Sequence, residues 1–133
     1  MSRKTFVNLS AASLDATREF FSALGFEYDE ARSCDWALCV AVNGDFSVLF
    51  LAEPYFADFA PSGVADPSAG NEVVTTLGAD SRDEVDRMAE AAAVAGATGA
   101  VTAEQTGVYS RSFTDPDGHR WEFPYTDPEA APS

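Results

Sequence analysis

Val108-Tyr-Ser-Arg-Ser-Phe-Thr114, then Asp115-Pro-Asp-Gly118, then His119-Arg-Trp-Glu-Phe-Pro-Tyr125 reads as strand, turn, strand. Proline presets its own φ in the turn, and glycine supplies a positive one. Working back, Val101 starts a shorter strand, and Gly96 closes a helix by adopting a left-handed conformation. Within that helix Val85, Met88, Ala89 and Ala92 form an apolar stripe. Ser81-Arg-Asp-Glu84 opens it as a capping box, each side chain satisfying the other's backbone donor. Glu72 to Leu77, rich in valine and threonine, is the strand before it.

The first half has the same order. Residues 5–10 read as a strand, Ser13 as an N-cap with Asp15 in the first turn, and Leu14, Phe20, Phe21 and Leu24 as the buried stripe of a helix ended by Gly25. Phe26 to Ala31 alternates weakly. Trp36 to Val42 is an apolar strand, Asn43-Gly44 a two-residue hairpin signal, and Phe46 to Leu51 the strand that follows. Caps Ser13 and Ser81 stand 68 apart, Gly25 and Gly96 71 apart, Gly44 and Gly118 74 apart. Each half is therefore strand, helix and three strands. One helix covers one face of a four-stranded sheet, so two such halves must pair, within a chain or across a dimer. A ferredoxin-like arrangement fits the two hairpins after each helix poorly. The expected class is α+β: two paired βαβββ modules forming a curved mixed sheet with a cleft. The modules are expected at 1–53 and 72–127. A linker at 54–71, broken by Pro54, Pro61, Pro67, Gly63 and Gly70, allows no regular element. A disordered tail is expected over 128–133.

Of the 133 residues, 22 are acidic and 8 basic, a net charge of −14. That excess repels polyphosphate and anionic lipid, which argues against nucleic-acid and membrane partners. A hydrophobic content of 46% argues against disorder despite the charge, and a chain of this length buries roughly two-thirds of its unfolded surface. The longest apolar run, Phe46 to Ala52, is too short to span a bilayer. Met1-Ser2-Arg3-Lys4 is not followed by a long apolar region, so a cytoplasmic protein is expected. Cys34 and Cys39 match no metal or redox spacing and read as a loop thiol and a small buried hydrophobe. Lys4 is the only lysine and sits at the N-terminus, which disfavours Schiff-base chemistry.

Phe6-Val-Asn-Leu9, the helix Leu14 to Phe26 and, most specifically, Arg111-Ser-Phe-Thr-Asp-Pro-Asp-Gly-His-Arg-Trp-Glu122 resemble the vicinal-oxygen-chelate superfamily, which includes glyoxalase I, extradiol dioxygenases and the fosfomycin- and bleomycin-resistance proteins. The resemblance spans about residues 5–127 and implies the paired-module fold. In metal-dependent members each module offers one ligand on its first strand and one on its last, on the concave face of the sheet. Carried over, those slots fall at Phe6, Val48, Glu72 or Val74, and Glu122. Phe6 and Val48 bind no metal, and stable catalytic sites use about three protein ligands. No cofactor is therefore expected; Glu122 and Glu72 are vestigial metal candidates, and a weakly bound divalent cation is the alternative.

Glu122 is the candidate catalytic residue, because a buried carboxylate without a metal has a raised pKa suited to base work. The alternative is an ion pair with Arg111 or Arg120. Arg111 is read as the clamp for an anionic ligand, or else as a salt bridge. Tyr109 is read as a hydrogen-bond donor on the face of Arg111. Trp36 and Phe6 are read as lining a cavity by stacking, with a core role as the alternative for Phe6. Tyr55-Phe56-Ala57-Asp58-Phe59 is read as a lid or a partner contact. His119, the only histidine, is expected off the ligand face. The functional expectation is a homodimeric protein that binds a small, anionic or aromatic ligand. The alternatives are a metal-assisted or Glu-dependent lyase or isomerase of glyoxalase type, and a module with no ligand.

Overall fold

A computed structural model describes residues 3–129. The chain divides into two compact units, one ending at Asp66 and the next beginning at Pro67. In the first, β1 (Thr5–Ala11), α1 (Leu14–Ala23), β2 (Glu27–Tyr28), β3 (Ala37–Ala41) and β4 (Phe46–Ala52) give a sheet ordered β1-β4-β3-β2, and α2 (Glu53–Phe59) follows. In the second, β5 (Val74–Thr76), α3 (Arg82–Val94), β6 (Thr98–Gln105), β7 (Val108–Thr114) and β8 (Arg120–Thr126) give the order β5-β8-β7-β6. Both first strands run parallel to the last strand of their unit, and the other pairings are antiparallel. Each unit is thus a βαβββ module, and the class is α+β.

The helix ends repeat as the sequence spacing demands. Ser13 Oγ accepts the Ala16 N–H at 3.2 Å, and Ser81 Oγ the Glu84 N–H at 3.1 Å. Glu84 returns its carboxylate to the N–H of Asp80, one residue earlier than a strict capping box requires. At the other end Gly25 and Gly96 both take positive φ, 90° and 106°. Gly25 N–H then reaches Ser22 O and Phe26 N–H reaches Phe21 O; Gly96 and Ala97 repeat this onto Ala93 and Ala92. This is the Schellman pair of bonds, which closes the last turn on its orphan carbonyls.

Each helix covers one sheet face. Phe21 of α1 meets Phe20 edge-on at 5.1 Å and Phe50 of β4 at 5.2 Å. Because Phe50 pairs with Leu38 and Leu9, and Val48 with Val40 and Val7, those residues share the α1 face. Val48 is therefore turned towards α1 and is no ligand slot; Ser47 and Leu49 occupy the other face. In the second unit Val85, Met88, Ala89 and Ala92 of α3 are buried, as are Phe113, Trp121 and Phe123 of β7 and β8. Phe113 and Phe123 stack at 5.7 Å.

Three expectations about connections are corrected. Glu53–Phe59 is a helix inside the stretch read as irregular. Pro54 lies in its first turn, where a missing N–H removes no intrahelical bond, so proline there starts a helix rather than forbidding one. The weakly alternating Phe26–Ala31 contributes only the two-residue β2 before a 3-10 turn at Glu30–Arg32. Asn43-Gly44 does not form a two-residue turn with positive φ. Instead Asn43 Oδ1 accepts the N–H groups of Asp45 and Phe46, at 2.8 and 2.9 Å, in an Asx-type loop.

The Asp115–His119 turn has the expected glycine, with Gly118 at φ 97°. A Cβ on Gly118 would also come within 3.1 Å of Pro67 and 3.2 Å of the Ser68 nitrogen, so close approach excludes a side chain as well. Beyond β8, Asp127 N–H donates to Gly107 O at 2.7 Å and Glu129 N–H to Asp127 Oδ1 at 3.0 Å, so the chain is held two residues further than the expected tail boundary. The rest of that tail, from residue 130, lies outside the described residues.

Candidate functional site

Strand pairing in the second unit sorts its side chains onto two faces. Arg111 pairs with Phe123, and Tyr109 with Tyr125. Both face α3, where Tyr109 Oη donates to Asp86 Oδ1 and Arg111 Nη1 donates to the same oxygen at 3.3 Å. The Tyr109 hydrogen bond, with Arg111 behind it, holds the Asp86 carboxyl below its ordinary range; the same bond raises the Tyr109 phenol. Arg82 lies 4.1 Å over the Tyr109 ring and is paired with Glu104 at 3.1 Å. Placing Arg111 and Tyr109 beside Glu122 is therefore corrected. Odd-numbered residues of β7 point to the helix, and their work is to tie α3 to the sheet.

The opposite face carries four cross-strand rows. Val74, Arg120, Thr114 and Thr98 form the first, and Thr76, Glu122, Ser112 and Val101 the second. Pro124, Ser110 and Ala103 form the third, and Thr126, Val108 and Gln105 the fourth. Glu122 is half-buried, and its Oε1 accepts the Thr76 hydroxyl at 3.1 Å. A pocket of about 210 Å³ lies between Glu122, Ser110, Ala103, Gln105 and Val108. The ion pair expected as an alternative for Glu122 is absent among the described residues: Arg111 bonds Asp86, and Arg120 bonds neutral oxygens.

Glu72 is exposed and precedes β5. It stands four positions before Thr76, the neighbour of Glu122, which is roughly 13 Å along an extended chain. The described residues contain no group of three His, Cys, Asp or Glu able to hold a metal. The immediate neighbours of Glu122 are the hydroxyls of Thr76 and Ser112. One carboxylate among neutral hydroxyls does not fit the donor set of a catalytic divalent metal.

The other candidates belong to the first unit. Phe6 pairs with Ser47, on the face away from α1, and the Arg32 guanidinium stands 5.3 Å from its ring centroid. Trp36 is exposed and stacks at 4.7 Å on Tyr55 of α2, so one of its ring faces is taken by the chain itself. The aromatic segment read as a lid is α2, which packs on β1 and β4 and leaves Phe59 exposed. Cys39 is buried and Cys34 exposed, as their sequence context suggests.

Two residues matter more than sequence reasoning allowed. Asp115 is 4% exposed. Its Oδ1 accepts the N–H groups of Asp117 and His119, and its Oδ2 accepts Trp121 Nε1, all at 2.9 Å. Burial pushes its carboxyl up despite these donors. Asp115 thus fixes the turn from which β8 presents Arg120 and Glu122. Arg120 is the second: on the strand it has the parity of Glu122, a signal that was available in the sequence.

The fold agrees with what the chain is similar to. The model of the Glyoxalase/Bleomycin resistance protein/Dioxygenase superfamily matches residues 5–123, and the chain belongs to that superfamily. Among solved structures it is similar to hypothetical protein SA1046 from S. aureus, with 25% identity over 94% of both chains and a TM-score of 0.78. It is similar in fold to a family enzyme from Burkholderia phytofirmans PsJN, with 18% identity, 94% of this chain and 99% of that one covered, and a TM-score of 0.77. A lactoylglutathione lyase from Agrobacterium tumefaciens shares 21% identity over 94% of each chain, with a TM-score of 0.69. No curated protein matches the chain.

Proposed function

We propose that this protein binds a small organic molecule on the sheet face carrying Glu122, without the complete metal site of the superfamily's metal-dependent enzymes. The observation that carries this reading is the half-buried Glu122, set between Thr76 and Ser112 in its row and lining the pocket of about 210 Å³. That volume lies below the roughly 300–1,000 Å³ of sites for drug-sized ligands, which favours a small ligand held by few polar anchors. The row and the pocket together supply such anchors: the hydroxyls of Thr76, Ser112 and Ser110, the amide of Gln105 and the carboxylate of Glu122. A second reading is favoured by Glu122 itself. Among the described residues its Oε1 is bonded to Thr76 and its Oε2 has no bond, so Oε2 is available to take a proton from a ligand in a lyase or isomerase reaction.

A thermal-shift screen of small acids, thiol conjugates and flat heteroaromatics tests the reading. A ligand at one hundred times its Kd stabilises the folded state by about 2.7 kcal/mol. The expected result is a raised Tm with at least one class, weakened in Glu122→Ala. A screen in which every stabilising compound acts equally on Glu122→Ala would remove this face as the site. A homodimer with no nucleic-acid partner is part of the same reading. Light scattering at micromolar concentration that shows a monomer would remove the dimer.

A further inference from the structure

Within a chain of net charge −14, most cations are already neutralised. Arg18, Arg32, Arg82, Arg87 and Arg111 each face a carboxylate within 4.0 Å. Arg120 is arranged differently: among the described residues its bonded partners are the Gly99 carbonyl and the Thr114 hydroxyl through Nη1, and the Ser112 hydroxyl through Nη2 at 2.7 Å. All three are neutral. They hold the guanidinium in one orientation on the face of Glu122, yet none compensates its charge. Two carboxylates are close in sequence, but Asp115 is engaged with Trp121 and its own turn, and Glu122 with Thr76.

We propose that Arg120 is an anion anchor, and that the ligand of this face is a small carboxylate carrying a hydroxyl or amine a few bonds away. The inference rests on the binding reading above. The donor count supports it. Of the five guanidinium N–H groups, three are spent on Gly99, Thr114 and Ser112. What remains is Nε–H and one hydrogen on Nη2, on neighbouring nitrogens, which suits the two oxygens of one carboxylate. Arg120 and Glu122 stand two apart on one strand, so their Cα atoms are separated by about 7 Å. A carboxylate on Arg120 therefore brings a nearby hydroxyl or ammonium within reach of the Glu122 carboxylate. Preorganisation by neutral oxygens keeps the site from being self-quenched, and Val74 and Val101 on the flanking strands give it apolar edges.

The test uses the full chain and Nε–Hε correlation spectra of its arginines, with propionate, 3-hydroxypropionate and inorganic phosphate as probes. Propionate is expected to move the Arg120 signal saturably while the paired arginines stay in place. 3-Hydroxypropionate is expected to bind about tenfold tighter, the worth of one hydrogen bond to a charged acceptor. Glu122→Ala should erase that tenfold while Arg120 still responds. Arg120→Gln should abolish saturable binding of both acids. Arg120→Lys, which keeps charge and loses the fork, guards against misfolding and should bind both acids more weakly, with the tenfold preference intact. Arginines that respond alike, acid binding undiminished in Arg120→Gln, or tighter saturation by inorganic phosphate would each overturn the carboxylate assignment. Neutral compounds that bind in a Glu122-dependent way while neither acid binds would also overturn it, and would leave the binding reading standing.

Discussion

In the first module Leu49 stands between Asn8 and Cys39; in the second, Glu122 stands between Thr76 and Ser112. These positions are equivalent. Phe6 pairs with Ser47 as Val74 pairs with Arg120, and Phe6 and Val74 are 68 apart, as are the helix caps. On this face the first module buries Cys39, Ser47 and Leu51, at 0%, 3% and 2% exposure, and carries apolar Leu49 and Phe6 half-buried. The same face of the second keeps Arg120, Glu122, Ser112 and Thr114 half-buried. One scaffold has thus been filled twice, once for packing and once with groups that can meet a ligand. The helix faces share a feature: each buries aromatic rings, Phe50 in the first module and Phe113, Trp121 and Phe123 in the second.

The largest test of that symmetry is in the cores. Phe50→Ala in the first module and Phe113→Ala in the second should each cost about 3–5 kcal/mol, because each removes a buried ring whose space cannot collapse. Urea denaturation of the two variants checks it. A cost below about 1 kcal/mol in either module would break the claim that the helix faces are equivalent.

The hairpins provide the next test, because they solve one problem by different means. Asp115 is buried and holds three donors, whereas Asn43 holds two on an exposed loop. Asp115→Ala strands the buried Trp121 N–H and opens the turn, for an expected loss of about 2–3 kcal/mol. Asn43→Ala should lose about 1 kcal/mol or less, since water replaces its acceptor. Equal losses in denaturant would show that burial does not distinguish the two turns.

What the sequence disclosed follows the same division. Caps, Schellman glycines and the apolar stripes were legible because each is a local rule with a fixed spacing. The register of face against face was not, because strand parity flips with one residue. The 74-residue offset between hairpin glycines placed the first-module slot at Val48, but the Asx loop at Asn43 shifts the count and puts Leu49 there instead. Reading Arg111 as the clamp overlooks parity: on β8 it is Arg120 that shares the face of Glu122. Glu53–Phe59 was lost to a count of prolines that ignored where in a helix Pro54 is tolerated.

Acid sharpens the contrast within the second module, where two aspartates respond with opposite sign. The pKa of Asp86 is lowered by the Tyr109 hydroxyl and Arg111. Its stabilisation is present above the unfolded carboxyl pKa and lost as pH falls through the folded value. The pKa of Asp115 is raised by burial, so its linkage favours the folded state below the unfolded pKa, and that benefit is lost as pH rises through the folded value. Tyr109→Phe should therefore destabilise the protein at neutral pH, and its difference from the parent should shrink as Asp86 is protonated in acid. Chemical denaturation across pH 3–7 checks the sign; a difference that grows in acid would contradict the assignment of Asp86 as the partner of Tyr109.

The smallest expected effect bears most directly on the open face. If Glu122 serves a ligand rather than the fold, Glu122→Gln should change stability by no more than about 0.5 kcal/mol, as for substitutions away from packed or desolvated groups. The amide oxygen can still accept the Thr76 hydroxyl, so the single internal bond survives. On the same face of the first module, Leu51→Ala should cost about 2–5 kcal/mol because its side chain is buried. A Glu122→Gln loss approaching that of Leu51→Ala would mean that both modules use this face for packing. The difference between them would then be one of polarity alone.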